Sequence, residues 1–198
     1  MYDSCIHAYE KLSLGTAGLI MGAVLILLHL AALLKPEAAC SLLRKAHTAT
    51  RAGQCLLGLD FLWIALLLLD VPWNPLKMDL FEFNGLRGIL LLLCPILWFL
   101  LCSMCQENLF PRALGLFLLL MAIVPLSAAF LKEPLTRLLI PLWWYPVLTL
   151  AMFWVARPFM FRDEAAWLTA HPRLFRGLNL FGLTYGVAII VCAGLFWY

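Results

Sequence analysis

The sequence predicts an all-α integral membrane protein, a bundle of about six transmembrane helices, and three observations predict it. Hydrophobic residues make up 65% of the 198-residue chain and charged residues 13%, where soluble domains carry roughly 25% charged residues. The mean hydropathy is +0.96. The apolar residues also gather in six solid runs of Leu, Ala, Ile and Val, each near the ~20 residues that a helix needs to cross a hydrocarbon core ~30 Å thick. They lack the alternation of a membrane barrel. The runs use more than half of the chain, so residues 1–198 read as a single polytopic membrane domain with no room for a separate soluble catalytic domain.

The first run spans about Leu12 to Leu34. It exceeds the roughly 7–15 residues of a signal-peptide core, and Lys35 and Glu37 follow it in place of a small-residue cleavage site, so it is expected to be a retained helix. Glu37-Ala38-Ala39-Cys40 resembles the end of a lipoprotein cleavage site, but Glu37 stands where an aliphatic residue is required. Within the run Gly15, Gly22 and His29 recur every seven residues, and Gly18 completes a GxxxG with Gly22. These residues share one face that lets a neighbouring helix approach closely. His29 should therefore point into the bundle.

The connection from Glu37 to His47 sets Ala38, Ala39, Leu42, Leu43 and Ala46 at helical spacing beside Arg44 and Lys45, the pattern of a helix lying in the membrane interface. A second run follows from about Ala52 to Val71. Gly53, Leu57, Asp60, Ile64 and Leu67 share one of its faces, which places Asp60 inside the bundle. The third run, Leu86 to Cys105, closes on Cys102-x-x-Cys105, a weak thiol pair one turn apart. A redox or metal role is conceivable for it, but nothing nearby completes a zinc set, and plain apolar helix is the better reading. No metal and no cofactor are predicted.

The fourth and fifth runs cover about Ala113 to Leu131 and Leu138 to Ala156. From Phe159 to Leu178 a second basic connection mixes Phe161, Trp167, Leu168 and Phe175 with Arg162, Arg173 and Arg176. The sixth run, Leu178 to Trp197, carries Asn179, Gly182, Gly186 and Ala193 on one small or polar face, where Gly182 and Gly186 form another GxxxG. Glu37-Ala38-Ala39 with Leu57-Gly58-Leu59 is echoed by Glu164-Ala165-Ala166 with Phe181-Gly182-Leu183, an internal likeness that chance in Leu- and Ala-rich sequence explains more readily than duplication.

Direction follows from the Lys and Arg residues of the short connections. The first, third and fifth hold nine (Lys35, Arg44, Lys45, Arg51, Arg112, Arg157, Arg162, Arg173, Arg176), and the opposite side holds five (Lys11, Lys77, Arg87, Lys132, Arg137). This places the two longer amphipathic connections in the cytoplasm and both termini on the outer side. The net charge of +3 is thus a sidedness signal, not a nucleic-acid footprint. The seven cysteines, mostly inside apolar runs, do not describe a disulfide framework.

Ionisable groups are expensive in hydrocarbon, so His29 and Asp60 are the first candidates for chemistry. His29 lies five residues before the end of its run and Asp60 eight residues into its own, depths of ~8 and ~12 Å from the same boundary. The sequence therefore predicts a hydrogen bond or ion pair between them. Such a pair serves either as a polar clasp between helices or as a proton or cation relay, and the clasp is the favoured reading. Haem fails on count, because His29 is the one histidine well inside a run. His171-Pro172 with Gly177 faintly resembles the Arg-His-Pro segment of membrane methyltransferases related to isoprenylcysteine carboxyl methyltransferase, but Ala170 replaces the Arg and the spacing differs, so no family is assigned.

The leading expectation is a structural or accessory subunit of a membrane assembly in a bacterial-type plasma (inner) membrane. Its partners would be the lipid bilayer and a membrane protein or a second copy of the chain, with no nucleic acid. The rival is a small transporter or channel using the His29/Asp60 site. A third reading is a lipid-modifying enzyme with His47, His171 and Glu164 as its polar groups.

Overall fold

The computed structural model describes Tyr9 and residues 12–74, 76–104 and 106–197. It is all-helical, with no strand among the described residues. Eight α-helices follow in chain order: α1 (Leu14–Leu34), α2 (Pro36–Ala46), α3 (Thr50–Leu68), α4 (Arg87–Met104), α5 (Leu109–Ala129), α6 (Leu139–Ala156), α7 (Phe159–Ala170) and α8 (Pro172–Phe196). Short 3-10 turns at Phe81–Leu86 and Leu135–Leu138 lead into α4 and α6. Six helices, α1, α3, α4, α5, α6 and α8, are long and apolar enough to cross a membrane. They are the six runs expected from the sequence.

Local chemistry sets the helix ends. Ser13 caps α1 by accepting from the Thr16 N–H at 3.1 Å. Lys35, Arg157 and His171 each precede a proline, and all three leave the helical region, with φ/ψ of −129/66, −132/75 and −116/79. The ring of the following proline disfavours the α conformation before it and suits the first position of the next helix. Pro36 and Pro172 start α2 and α8 in this way.

One boundary differs materially from the expectation. The last span begins at Pro172 instead of Leu178, so Arg173 and Arg176 belong to its first turns and not to a loop. At 25 residues α8 is ~38 Å long, more than the hydrocarbon core requires, and its basic start extends toward the interface.

The packing falls into two regions. In one, α1 lies along α8, and the apolar core joins Leu14, Met21 and Leu25 of α1, Ala122 and Ala129 of α5, Ile140 and Trp144 of α6, and Ile189 and Ala193 of α8. In the other, α3 packs on α5 and α4, around Leu57, Leu109 and Ala113. Helix α5 bridges the two regions by packing on both α3 and α6. α4 is peripheral, with Arg87 and Cys94 its only buried residues.

Both ends of the described chain lie at one end of the bundle. The Lys132 ammonium donates to the Leu12 carbonyl at 2.8 Å, and the Trp197 indole N–H donates to the Thr136 hydroxyl at 2.9 Å. The connection between α3 and α4 is held by Arg87, whose guanidinium donates to Asn84 Oδ1 at 2.9 Å and the Met78 carbonyl at 2.6 Å and faces Asp70 at 3.3 Å. Lys77 pairs with Asp70 as well. Elsewhere the short helices α2 and α7 pack on each other, joined by Arg44 Nε donating to Thr169 Oγ1 at 2.7 Å.

Candidate functional site

The seam between α1 and α8 is built from small residues. A Cβ placed on Gly22 would lie 2.9 Å from the Gly186 carbonyl oxygen, and one on Gly186 would lie 3.1 Å from the Gly22 carbonyl oxygen. The two backbones therefore touch at this crossing, as the paired GxxxG sequences require. Gly18 receives the Trp197 ring, and Gly182 receives the imidazole of His29. Gly15 is buried on the same helix.

The position of Gly182 explains where His29 goes. Its ring lies over the space that a side chain at residue 182 would fill, with Nε2 nearest to where the Cβ would stand. Its Nδ1 lies 3.0 Å from Asn179 Oδ1. The Asn179 amide nitrogen already donates to the Phe175 carbonyl at 2.8 Å, which turns Oδ1 toward the histidine as acceptor. His29 Nδ1–H is then the donor, and this fixes the imidazole tautomer. Trp143 meets the ring edge-on at a centroid distance of 5.9 Å, and Trp143 in turn packs on Tyr185 at 5.1 Å. Tyr185 donates to the Leu139 carbonyl at 2.7 Å.

Asp60 is placed quite differently. It continues the stripe of Gly53 and Leu57 on α3, whose lower turns press on the start of α5: a Cβ on Gly53 would lie 2.7 Å from the Phe110 nitrogen. Asp60 is 0% exposed, and neither carboxyl oxygen has a hydrogen-bond partner. Trp63, one turn further on, meets Phe117 of α5 edge-on at 6.2 Å.

The expected bond between His29 and Asp60 is therefore not formed. His29 bonds to Asn179, and Asp60 bonds to nothing. With α8 starting at Pro172 and not at Leu178, Asn179 lies seven residues beyond the start of its helix, a similar distance along it. What decides between them is lateral neighbourhood, and α1 packs on α8, not on α3. The signal for Asn179 was present in the sequence: it precedes Gly182 by three residues and Gly186 by seven, on the face that receives α1.

An apolar cavity of about 370 Å³ lies between α1, α5 and α6, with Met21, Leu25, Phe117, Met121 and Val147 in its wall and His29 contributing to its lining. Asp60 is not part of it. A polar cleft of about 410 Å³ sits where α3 and α5 begin, lined by His47, Thr48, Thr50, Glu107, Asn108 and Arg162 among others. Sequence reasoning singled out His47 but not Glu107 or Arg162 as its companions, because they arrive from different connections.

The trio of His47, His171 and Glu164 does not converge. Glu164 accepts from the Trp154 indole at 2.8 Å, and His171 bonds through Nδ1 to the Trp167 carbonyl at 2.8 Å and packs on the Trp167 ring. Cys102 packs against the α3–α5 core, and Cys105, the other half of the expected thiol pair, lies outside the described residues. Among the described residues no three His, Cys, Asp or Glu side chains gather as metal ligands. Comparison with family models, curated proteins and solved structures finds no match for this chain.

Proposed function

We propose that this chain is a structural or accessory subunit of a plasma (inner) membrane assembly, acting through helix contacts and not through turnover of a substrate. The observation that carries this reading is the sealing of Asp60. A carboxyl serving a proton or cation path needs contact with water or with other polar groups, and Asp60 has neither. His29 is likewise engaged in holding α1 to α8. The excess of Lys and Arg in the first, third and fifth connections supports placing α2 and α7 in the cytoplasm and both chain ends outside.

Purification of the full chain from its native membrane in mild detergent tests the reading. A membrane protein, or a second copy of the chain, should copurify in fixed proportion. A monomer that carries no protein, together with cation or proton flux in proteoliposomes that Asp60→Asn abolishes, would overturn the subunit reading and restore the transport one. A reporter fused after Tyr198 that is active only outside the cytoplasm agrees with the orientation; activity in the cytoplasm reverses it.

A further inference from the structure

The polar cleft at the start of α3 and α5 lies near an apolar groove on α4, with one further space between them. The groove, about 410 Å³, is formed by Pro95, Ile96, Phe99, Leu100, Ser103 and Met104. Ser103 and Met104 also line an adjoining space with Glu107 and Arg112, and Glu107 in turn lines the cleft with His47 and Arg162. An apolar groove along α4 and a polar cleft at the helix ends thus lie in series along one strip of the surface, joined by shared wall residues. That is the division of a lipid molecule into chain and headgroup.

The charges of the chamber select among headgroups. Arg162 supplies a cation from α7, with the Thr48 and Thr50 hydroxyls nearby. His47 Nδ1 is shielded and has no partner. Helices α3 and α5 both begin here without a side-chain cap, so their first N–H groups and dipoles favour an anion. Glu107, exposed and in no ion pair among the described residues, supplies the opposite charge. Arg162 also pairs with Asp163 at 2.9 Å, which holds its guanidinium at the rim of the chamber. A headgroup with one negative charge and nothing else would leave Glu107 facing it.

We propose that this strip binds one phospholipid whose headgroup carries a phosphate and a primary ammonium. The phosphate lies among Arg162, His47 and the two threonine hydroxyls, the ammonium at Glu107, and one acyl chain along the groove of α4. The site joins α3, α4, α5 and α7, so an occupied site ties the peripheral α4 to the rest of the bundle.

Native mass spectrometry of the full chain in detergent, titrated with phosphatidylethanolamine, phosphatidylglycerol or soluble phosphoethanolamine, tests this. Phosphatidylethanolamine should be retained in preference to phosphatidylglycerol, and soluble phosphoethanolamine should not compete at the same concentration. Glu107→Gln should weaken phosphatidylethanolamine binding about tenfold, the scale of one charge-assisted hydrogen bond, and leave phosphatidylglycerol unweakened. Arg162→Gln should weaken both lipids. Both side chains are exposed, and unchanged thermal melting of the variants confirms that binding, not folding, is read. Equal retention of the two lipids by the unsubstituted chain, or no loss in Glu107→Gln, overturns the proposal. Equal competition by soluble phosphoethanolamine would assign the chamber to a free phosphate ester instead of a lipid.

Discussion

The two regions of the bundle handle a buried polar residue in opposite ways. Along α1 and α8 the polar atoms are matched: His29 donates to Asn179, Asn179 donates to its own helix, and glycines on both sides give the ring its space. Between α3 and α5 a carboxyl is buried to 0% exposure with no partner at all. A satisfied polar group inside a membrane bundle adds directional holding power, whereas an orphaned one costs roughly 1–3 kcal/mol. One seam is thus locked by polarity, and the other is held by apolar packing against it.

The contrast can be broken most forcefully at the crossing of α1 and α8. Gly22→Leu drives a branched side chain into the Gly186 backbone and Ile190, so the helices must separate. A loss of about 3 kcal/mol or more is expected in detergent unfolding, together with release of α8 to limited proteolysis. The same substitution at Gly194, where a Cβ meets nothing within 4 Å, should change stability little.

At the other seam the sign reverses. Asp60→Val removes both orphaned oxygens for a modest change in volume, and stability should rise by about 1–2 kcal/mol. A destabilised Asp60→Val variant would mean that the carboxyl is not sealed, and would remove the observation on which the subunit reading rests.

A double-mutant cycle separates the two regions quantitatively. His29→Ala with Asn179→Ala should show a coupling of about 0.6 kcal/mol, the usual size for a hydrogen bond between membrane helices. His29→Ala with Asp60→Ala should be additive. Coupling in the second cycle and none in the first would reinstate the pair read from the sequence.

The smallest effect lies outside the spans, in the connection between α3 and α4. The Lys77 ammonium beside Asp70 holds its carboxyl below the usual range, and Asn84 and the Phe81 N–H do the same for Asp79. A carboxyl whose folded-state pKa is lowered contributes stability above its unfolded value, near 4, and loses it as pH falls through the lower folded value. Amide protection over residues 76–87, corrected for the intrinsic pH dependence of exchange, should therefore fall below about pH 4, and Lys77→Met should lower the protection above that pH and lessen the fall. These carboxylates are open to solvent, so the change stays local.

The difference between the two seams also marks how far the sequence could be read. The six spans were legible because an unbroken apolar run of bilayer length has one structural outcome in lipid. The true start of α8 was missed because Arg173 and Arg176 read as a loop, although Pro172 is the stronger signal of a helix start. Glycines 22 and 186 predicted a close crossing, and the crossing exists, each completing it for the other. Position along each run can be counted from the sequence; lateral neighbourhood cannot, and so the sequence reading pairs His29 with Asp60 where the structure sets Asn179 beside it. The cleft of His47, Glu107 and Arg162 was invisible for the same reason, since three connections distant in sequence supply it.

The bond between His29 and Asn179 spans 150 residues. The first helix of the described chain thus finds its principal neighbour in the last, and synthesis from the N-terminus makes α1 long before that neighbour. Until then the glycine face of α1 and the Nδ1 of His29 lack their counterparts on α8. This seam therefore closes late, and a chain interrupted before α8 leaves His29 without its Asn179 acceptor.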